Sequence, residues 1–279
     1  MSTVSLIIVS RNVAPYLDRC LSSAAHDPLW RRGQMEAVVV DNASSDATLA
    51  MLREKHPRAN VVANRDNRGF AAACNQGIRA SSGTYPIVLN PDTVVGDGTL
   101  SALVRFAADS PGAGIVGPMV VNPDGSLQPS RRRFPSYSSI LFARKSPLAA
   151  MMPEHPLARR YVMADVDGSM VQEVEALAGA CLLLRREMLQ GTGLFDERYF
   201  MYLEDIDLCY RAHREGWTVT YLPTARVVHY WGLSTVQEQR AMEQHHRRSM
   251  YLFFLKHHRP NQLQRLYLMA ALAVHSLVG

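Results

Sequence analysis

The first hundred residues alternate short apolar runs with segments of helical periodicity. The apolar runs are typical of strands that are covered on both faces, and they fall at residues 4–9, 37–40, 60–63 and 85–89. Helical patterns lie between and after them, at residues 15–25, 46–55, 70–80 and 99–108. Single helices between successive strands, with short connections, predict right-handed crossovers and a mostly parallel sheet. The fold class indicated is α/β.

The pattern becomes irregular after Gly117. Residues 122–168 contain six prolines and the basic cluster 131–133, and they predict a long excursion over the functional site with one or two short helices. Strands resume at 174–184 and again at 227–230, and helices follow from about 236. We therefore expect one α/β domain over residues 1–235, with the excursion at 122–168, and a helical C-terminal extension over 236–279.

The net charge of +5 is unevenly distributed. Residues 131–160 carry seven Lys or Arg against one acid, and residues 240–265 carry six against one. Two local basic surfaces favour an anionic partner such as a membrane face or a phosphorylated substrate, although a solvated protein face has the same composition. Nucleic acid is not expected, because no DNA-binding motif or stacking platform accompanies the charge. The oligomeric state stays open.

The four cysteines lie far apart without a CxxC pair, which is typical of buried thiols in a reducing compartment. The N-terminal apolar run lacks a basic leader, and no stretch reaches the roughly 18–20 apolar residues that span a bilayer. A cytoplasmic protein is expected. The apolar residues 266–278 follow a basic segment and suit either an interfacial helix or a helix packed on the domain.

Two adjacent acids, Glu204 and Asp205, lie inside the aromatic and apolar run FDERYFMYLEDID. An ionised carboxylate is costly in such surroundings unless a metal, a substrate or a donor compensates it, and desolvation raises its pKa toward values useful for proton abstraction. The pair is a candidate general base. The alternative is that both acids form the charged first turn of a helix.

Polar residues follow each strand of the first half. Ligands of open α/β sheets bind at the carboxyl ends of the strands, so these residues are candidates for a binding site. The candidates are Ser10, Arg11, Asn12, Asp41, Asn67, Arg68, Gly69, Asn75, Asn90 and Asp92. Gly69 lets a backbone approach a ligand closely. His229 follows a later apolar strand, in VVHYWG.

Three of these residues suggest specific contacts. A carboxylate at the position of Asp41 can accept the N3–H of a uracil or thymine base. Alternatively, it can cap a helix or stabilise a turn. Asp92, in NPD, offers a hard oxygen to Mg²⁺ or Mn²⁺ beside a diphosphate, with His229 as a second protein ligand. Turn chemistry explains NPD equally well when it is taken alone, and a single strand-end histidine is often structural.

Seven segments in this order resemble a family 2 glycosyltransferase, in particular the bacterial rhamnosyltransferase-like branch. They are VSRN (9–12), VVVDNASSD (38–46), NRGFAAACNQG (67–77), LNPDT (89–93), LAGACLLLRRE (177–187), FDERYFMYLEDIDLCYR (195–211) and HYWGLS (229–234). The resemblance covers residues 4 to about 260.

The resemblance implies a GT-A fold, a Rossmann-like, mostly parallel sheet flanked by helices, with a nucleotide-sugar donor, a divalent cation and inversion at the anomeric carbon. It implies that Asp41 binds the pyrimidine and that Asp92 is the remaining acid of the DxD motif, because Asn90 occupies the first position. Asp205 becomes the general base, and His229 completes the metal site. The residues expected to contact the acceptor are Glu204, Trp231 and Arg132.

The resemblance favours dTDP-rhamnose as the donor and, as the acceptor, a glycan or a lipid-diphosphate-linked glycan of the cell wall or cell surface. A UDP-hexose or UDP-galactofuranose transferase of the same fold is the alternative within the family. A non-catalytic sugar-nucleotide sensor would not need Asp205. A nucleotidylyltransferase would carry a glycine-rich phosphate loop at the N-terminus, which LIIVSRN lacks.

Overall fold

The computed structural model describes residues 3–142, 148, 151–152, 154–230 and 239–274. Its main sheet contains nine strands: eight lie in the order β3-β2-β1-β4-β10-β6-β11-β5, and β8 pairs with β11. Strands β7 and β9 pair separately with each other. The strands are β1 (Val4–Ser10), β2 (Met35–Asp41), β3 (Asn60–Ala63), β4 (Tyr85–Leu89), β5 (Thr93–Val95), β6 (Ala113–Val121), β7 (Arg131–Arg132), β8 (Gln172–Glu173), β9 (Ala176–Leu177), β10 (Cys181–Leu184) and β11 (Thr218–His229).

Helices cover both faces of the main sheet, as the buried apolar strands require. They are α1 (Ala14–Ala24), α2 (Pro28–Arg31), α3 (Thr48–Lys55), α4 (Phe70–Arg79), α5 (Thr99–Asp109), α6 (Pro156–Tyr161), α7 (Arg186–Thr192), α8 (Glu204–Arg214), α9 (Gln239–His257) and α10 (Gln262–Val274). The residues of β1 alternate between two cores: Leu6 and Ile8 pack with α1, α3 and α5, and Ile7 packs with α4, α8 and α9. The α/β class is confirmed.

The sheet is mixed rather than uniformly parallel. Strands β3, β2, β1 and β4 are mutually parallel, as the alternating pattern predicted. Strand β10 runs antiparallel to both β4 and β6, and β5 runs antiparallel to β11. A buried apolar run does not encode its direction, so the sequence pattern could not reveal this reversal. The strand predicted over 174–184 is also divided into two short ones, β9 and β10.

Two further elements differ from the sequence pattern. Strand β6 extends through Val121, beyond Gly117, where the pattern becomes irregular. Within the excursion, β7 pairs with β9, and a 3-10 helix (Ser139–Phe142) precedes α6, so the expected short helices are present. Pairing with β9 fixes the start of the excursion next to the chain that leads into β10.

The C-terminal helices α9 and α10 pack into the same core as α8. Phe253 and Phe254 of α9 and Leu268 of α10 are fully buried there. Polar contacts reinforce this packing: Lys256 Nζ and His257 Nε2 each lie 2.7 Å from Asp207 Oδ1 in α8. No described helix is long and apolar enough to cross a membrane.

Candidate active site

Two buried oxygens lie at the ends of adjacent parallel strands. Ser10 and Asp41 are register partners in β1 and β2, and both side chains are at least 99% buried. Asp41 Oδ2 accepts a hydrogen bond from the Ser44 amide at 3.1 Å. Among the described residues, Asp41 Oδ1 and Ser10 Oγ have no hydrogen-bond partner. A buried polar atom without a partner is costly, so this pair is suited to a polar ligand that completes it.

The loop beside this pair is fixed by Asn12 rather than left free for a ligand. Asn12 has a positive φ of 54°, and its Oδ1 accepts the Ser45 amide at 2.7 Å. Its own amide donates to Ser44 Oγ at 2.9 Å. Arg11, between Ser10 and Asn12, is half-buried. The predicted donor-binding segment therefore lies at the expected edge, and Asn12 holds its shape.

The turn 64–69 is organised by Asn42, a residue that the sequence did not single out. Asn42 Nδ2 donates to Asn67 Oδ1 at 2.8 Å and to the Gly69 carbonyl at 3.2 Å. Asn42 Oδ1 accepts the Arg68 amide at 3.1 Å. The Arg68 side chain is 54% exposed. Asn67 thus forms hydrogen bonds within the turn. In the sequence, only the position of Asn42 next to Asp41 indicated that Asn42 has a role.

Gly69 permits a close approach to another part of the protein. Its φ is +80°, and a Cβ at this position would lie 2.5 Å from the carbonyl oxygen of Phe200. The adjacent Phe70 amide donates to that carbonyl at 2.7 Å. This contact joins the start of α4 to the segment that precedes the acid pair. Gly69 therefore has a packing role, and its place in the donor site stays a prediction.

Asn75 is also committed to the protein. It is 1% exposed, and its Nδ2 donates to the Phe195 carbonyl at 2.8 Å and to Glu197 at 2.9 Å. Its Oδ1 accepts the Phe195 amide at 3.0 Å. These contacts occupy both ends of the side-chain amide and hold the 195–197 segment on α4. Asn75 positions the chain that leads to Glu204, and its place in the donor site stays a prediction.

The predicted metal ligands do meet. Nε2 of His229 lies 3.2 Å from Asp92 Oδ1 and 3.4 Å from Nδ2 of Asn90. Both side chains of the pair are at most 7% exposed. On the far side of the ring, Nδ1 lies 2.6 Å from Oε1 of Gln128, which can only accept. Nδ1 therefore donates to Gln128, and Nε2 on the opposite side of the ring faces Asp92.

This arrangement fits a cation. Asp92 Oδ1 lies 3.2 Å from His229 Nε2, which is ion-pair distance when the ring is protonated, and a cation bound to the neutral ring would take the place of that proton. A metal-bound histidine typically donates its other N–H to a carbonyl or carboxylate, as His229 does to Gln128. The described residues contain no group of three or more His, Cys, Asp or Glu around one point. A cation here would take its other ligands from a diphosphate and water.

A short segment connects the metal pair to the acid pair. The Gly179 amide donates to Asp205 Oδ2 at 2.7 Å, and the carbonyl of Ala180 accepts the Asn90 amide at 3.0 Å. Asp205 and the NPD turn therefore flank the same two residues ahead of β10. With Ser10 and Asp41 at the neighbouring strand ends, the candidate residues converge on the carboxyl edge of the parallel strands, as expected for an α/β site.

The acid pair is held at a strained helix start. Tyr202 and Leu203 both have positive φ values, 69° and 63°, immediately before α8 begins at Glu204. Left-handed backbone in two successive non-glycine residues is costly and is found at functional sites. Here it turns Glu204 inward, to 5% exposure, and leaves Asp205 partly exposed.

Both carboxyl pKa values are raised. Burial, and then the charge of Asp205, raise the pKa of Glu204 well above its usual range. Burial also raises the pKa of Asp205, while the amides of Ile206 and Gly179 and the charge of Arg132 oppose this. Glu204 Oε2 has no hydrogen-bond partner among the described residues. The pair can therefore hold a proton on Glu204 while Asp205 accepts one.

Arg132 faces the acid pair from the excursion. Its neighbours are engaged elsewhere: Arg131 donates to carbonyls at 166–167 and to Gln172, and Arg133 forms an ion pair with Asp165 at 2.9 Å. Burial lowers the pKa of Arg132, and Tyr161 and Asp205 oppose this. Tyr161, at the end of α6, was not anticipated from the sequence. Trp231 lies outside the described residues.

Asp207, the third acid of the motif, belongs to the scaffold. It is fully buried and pairs with Arg211 at 2.8 Å as well as with Lys256 and His257. Burial alone would raise its pKa, but the hydrogen bond from His257 and the charges of Arg211 and Lys256 hold the pKa below its usual value. One face of α8 therefore anchors the C-terminal helix, and its first turn presents the acid pair.

Comparison with known proteins gives a consistent assignment. Residues 2–251 match the model of the family described as "Glycosyltransferase like family 2". The chain is 33% identical over 264 residues, 91% of its length and 84% of the relative's, to the N-acetylglucosaminyl-diphospho-decaprenol L-rhamnosyltransferase of Mycobacterium tuberculosis. It is 23% identical to rhamnosyltransferase WbbL of Escherichia coli, over 81% of this chain and 83% of WbbL.

Solved structures confirm the GT-A fold. The chain aligns with a mannosyltransferase from Pyrobaculum calidifontis, solved with GDP-Man and Mn²⁺, at a TM-score of 0.64 and 19% identity, covering 99% of this chain and 76% of that one. Residues 1–349 of TarS from S. aureus align at a TM-score of 0.59 and 17% identity, covering 99% and 71%.

Proposed function

The chain belongs to glycosyltransferase family 2, and on this basis we propose that it transfers L-rhamnose from dTDP-rhamnose to a hydroxyl of a lipid-linked glycan, with inversion. The observation that carries the proposal is the partly exposed carboxylate of Asp205, which accepts a hydrogen bond from the Gly179 amide. Gly179 lies two residues before β10, and β10 pairs with β4, the strand that leads to Asn90 and Asp92. The mycobacterial relative, by its name, is an L-rhamnosyltransferase that acts on a sugar linked to decaprenyl diphosphate.

The donor base binds at Ser10 and Asp41. Asp41 Oδ1 accepts the N3–H of thymine or uracil, and Ser10 Oγ donates to a carbonyl of the same ring. Both oxygens are buried and lack protein partners among the described residues. Hydrogen bonds to the base would remove the free-energy cost of leaving them unpaired, which is about 1–3 kcal/mol for each group.

Asp92 and His229 would hold a divalent cation, Mg²⁺ or Mn²⁺, beside the donor diphosphate. Gln128 keeps Nε2 of His229 free for this contact through its hydrogen bond to Nδ1. When bound, the cation supplies positive charge to the departing diphosphate. Asn90, in place of a second acid, contributes an amide and leaves the site with one carboxylate.

Asp205 is the general base. Its carboxylate removes the proton of the acceptor hydroxyl, and the hydroxyl oxygen forms a bond to the anomeric carbon from the face opposite the diphosphate. The bond between that carbon and the diphosphate breaks, and the proton stays on Asp205 until it passes to solvent. The Gly179 amide holds the carboxylate in one orientation, and Glu204 behind it stays protonated.

Arg132 and Tyr161 face the acceptor side of Asp205. Arg132 has no carboxylate within ion-pair distance among the described residues, whereas Arg133 is neutralised by Asp165. A half-buried, unneutralised guanidinium is suited to bind a phosphate oxygen. We assign it to the diphosphate of a polyprenyl-linked acceptor, with Glu204 and Trp231 at the acceptor sugar. Because the lipid chain of such an acceptor lies in a membrane, the enzyme must act at a membrane surface, on the cytoplasmic face where nucleotide-sugars are made.

A donor panel tests the proposal. The purified protein is incubated with dTDP-rhamnose, UDP-glucose, UDP-galactofuranose or GDP-mannose, and with a short-chain polyprenyl diphosphate that carries N-acetylglucosamine. Products are identified by mass spectrometry. The expected result is addition of one deoxyhexose from dTDP-rhamnose alone. Transfer of a different sugar, or binding without transfer from any donor, would contradict the proposal.

A further inference from the structure

We infer that the exposed face of α10 is the surface by which this protein docks on an anionic membrane. The inference rests on the proposed lipid-linked acceptor for its purpose, but it is argued from the helix itself. Four large apolar side chains of α10 are exposed: Leu263 (77%), Leu266 (58%), Tyr267 (37%) and Met269 (50%). Exposed apolar side chains grouped in this way indicate an interaction surface rather than ordinary solvent contact.

The helix has two apolar faces. Leu268, Ala271 and Leu272 are buried in the core and hold α10 on the domain. At 100° per residue, the four exposed side chains occupy the opposite arc together with Ala270 and Ala273. A helix that served only to cover the core would carry charged residues on that arc, yet no charged residue occurs between Leu266 and the end of α10.

Charge beside this face favours an anionic lipid surface. Arg259 and Arg265 are exposed at the start of the helix, and Arg265 Nε donates to the Pro260 carbonyl at 3.1 Å. The only acid between residues 239 and 274 is Glu243, near the start of α9 and far from α10 in the sequence. A second copy of the chain is a poorer occupant, because two such faces in contact would bring four arginines together. Apolar side chains flanked by arginines are the composition of interfacial helices.

A second exposed patch lies beside the same supporting element. Met151 and Met152 are 79% and 47% exposed. The His155 amide donates to the Met152 carbonyl, and the His155 ring stacks on the Phe142 ring with 4.0 Å between the centroids. Phe142 ends the 3-10 helix on which α10 also packs. The two patches therefore flank one element and can meet the same bilayer.

The docking face is connected to the acceptor side of the active site. Tyr267 OH donates to the Tyr137 carbonyl at 2.8 Å, and the Tyr137 ring packs at a tilt on Phe254 in α9, with 4.9 Å between the ring centroids. Tyr137 lies only five residues beyond Arg132. Docking by α10 would thus bring the mouth of the site toward an acceptor whose lipid chain lies in the membrane.

Vesicle binding tests the inference directly. The triple variant Leu263→Gln/Leu266→Gln/Met269→Gln removes exposed apolar surface, so the core is untouched and an unchanged Tm verifies folding. Leu127→Gln, at a 48% exposed residue outside α10, is the matched control. Flotation with vesicles of phosphatidylglycerol and phosphatidylethanolamine should show at least about tenfold weaker binding for the triple variant only. Arg259→Gln/Arg265→Gln should weaken binding at low salt and have little effect at high salt.

Equal vesicle binding by wild type and triple variant would overturn the inference. So would a wild-type dimer that the triple variant converts to a monomer while neither binds vesicles. Transfer assays separate this inference from the proposed function: the triple variant should keep its rate on a short-chain, water-soluble acceptor and lose rate on an acceptor embedded in vesicles. If wild type transfers to neither acceptor, the proposed function fails, and flotation still decides whether α10 docks.

Discussion

Nε2 of His229 lies 3.2 Å from Oδ1 of Asp92, and Nδ1 on the opposite side of the ring donates to Gln128. The ring therefore presents Nε2 to a buried carboxylate, an arrangement that can bind either a proton or a metal cation. The relationship joins residues from the NPD turn, from β11 and from the excursion, so three separate segments contribute to one ligand pair.

Metal affinity should depend on Gln128 as well as on the two ligands. Gln128→Ala removes the acceptor that fixes the tautomer of His229, and loss of such a partner typically costs about 10–100-fold in metal affinity. Asp92→Asn should cost at least as much, whereas exposed Asp97→Asn should change nothing. Mn²⁺ titration with dTDP present, followed by electron paramagnetic resonance, measures this. Unchanged affinity in Gln128→Ala would show that the tautomer of His229 is irrelevant to the metal.

Donor affinity should depend on the unpaired oxygen of Asp41. Asp41→Asn keeps the size of the side chain but presents a mixture of donor and acceptor to the N3–H of the base. A hydrogen bond to a charged group is worth about 1.5–3 kcal/mol, so dTDP should bind about 10–100-fold more weakly. Isothermal titration calorimetry is the measurement, and Asp66→Asn, an exposed acid in the neighbouring turn, is the control. Equal affinities for the two variants would remove Asp41 from the base site.

Much of this site follows from the sequence because it lies where apolar strands end. Asp41 and Asp92 each follow a buried run, and parallel strands bring their ends to one edge. The partners chosen by long-range packing could not be found in this way. Gln128 lies 101 residues from His229 in a segment without periodicity. Asn75 and Gly69 look like ligand-binding residues by type, but only packing against Phe195 and Phe200 shows that they hold the scaffold.

Glu204→Gln should stabilise the fold at neutral pH while it lowers activity. The pKa of Glu204 is raised in the folded state, so the stability it contributes is full below its unfolded pKa and is lost as the pH rises through the folded value. The neutral amide avoids that loss. It should therefore raise the free energy of unfolding by about 1–3 kcal/mol, the usual cost of an unpaired buried polar group. Thermal unfolding at pH 8 should favour the variant, and the gap should close near pH 4. A destabilised variant at pH 8 would mean that the buried carboxylate is compensated.

Asp207→Asn should have the opposite effect on stability. The pKa of Asp207 is lowered, so its contribution is present above the unfolded pKa and is lost as the pH falls through the folded value. Neutralising it leaves Arg211 without its buried counter-charge and leaves Lys256 with Asp196 as its remaining partner, and breaking such a buried pair costs about 3–5 kcal/mol. Denaturant unfolding at pH 7 measures the loss. Glu197→Gln, in a half-exposed pair with Arg79, should cost at most about 1 kcal/mol. Comparable losses would show that Asp207 is no anchor.

The role of Asp205 as the base is tested most directly by single-turnover transfer with Asp205→Asn. The variant keeps the size of the side chain and cannot accept a proton, so dTDP-rhamnose should bind within about threefold of wild type while transfer slows. General base catalysis is worth about 10²–10⁴ in rate, and a loss in that range is the predicted result. Transfer at a near wild-type rate, with the donor bound normally, would contradict the assignment of Asp205 and the mechanism built on it.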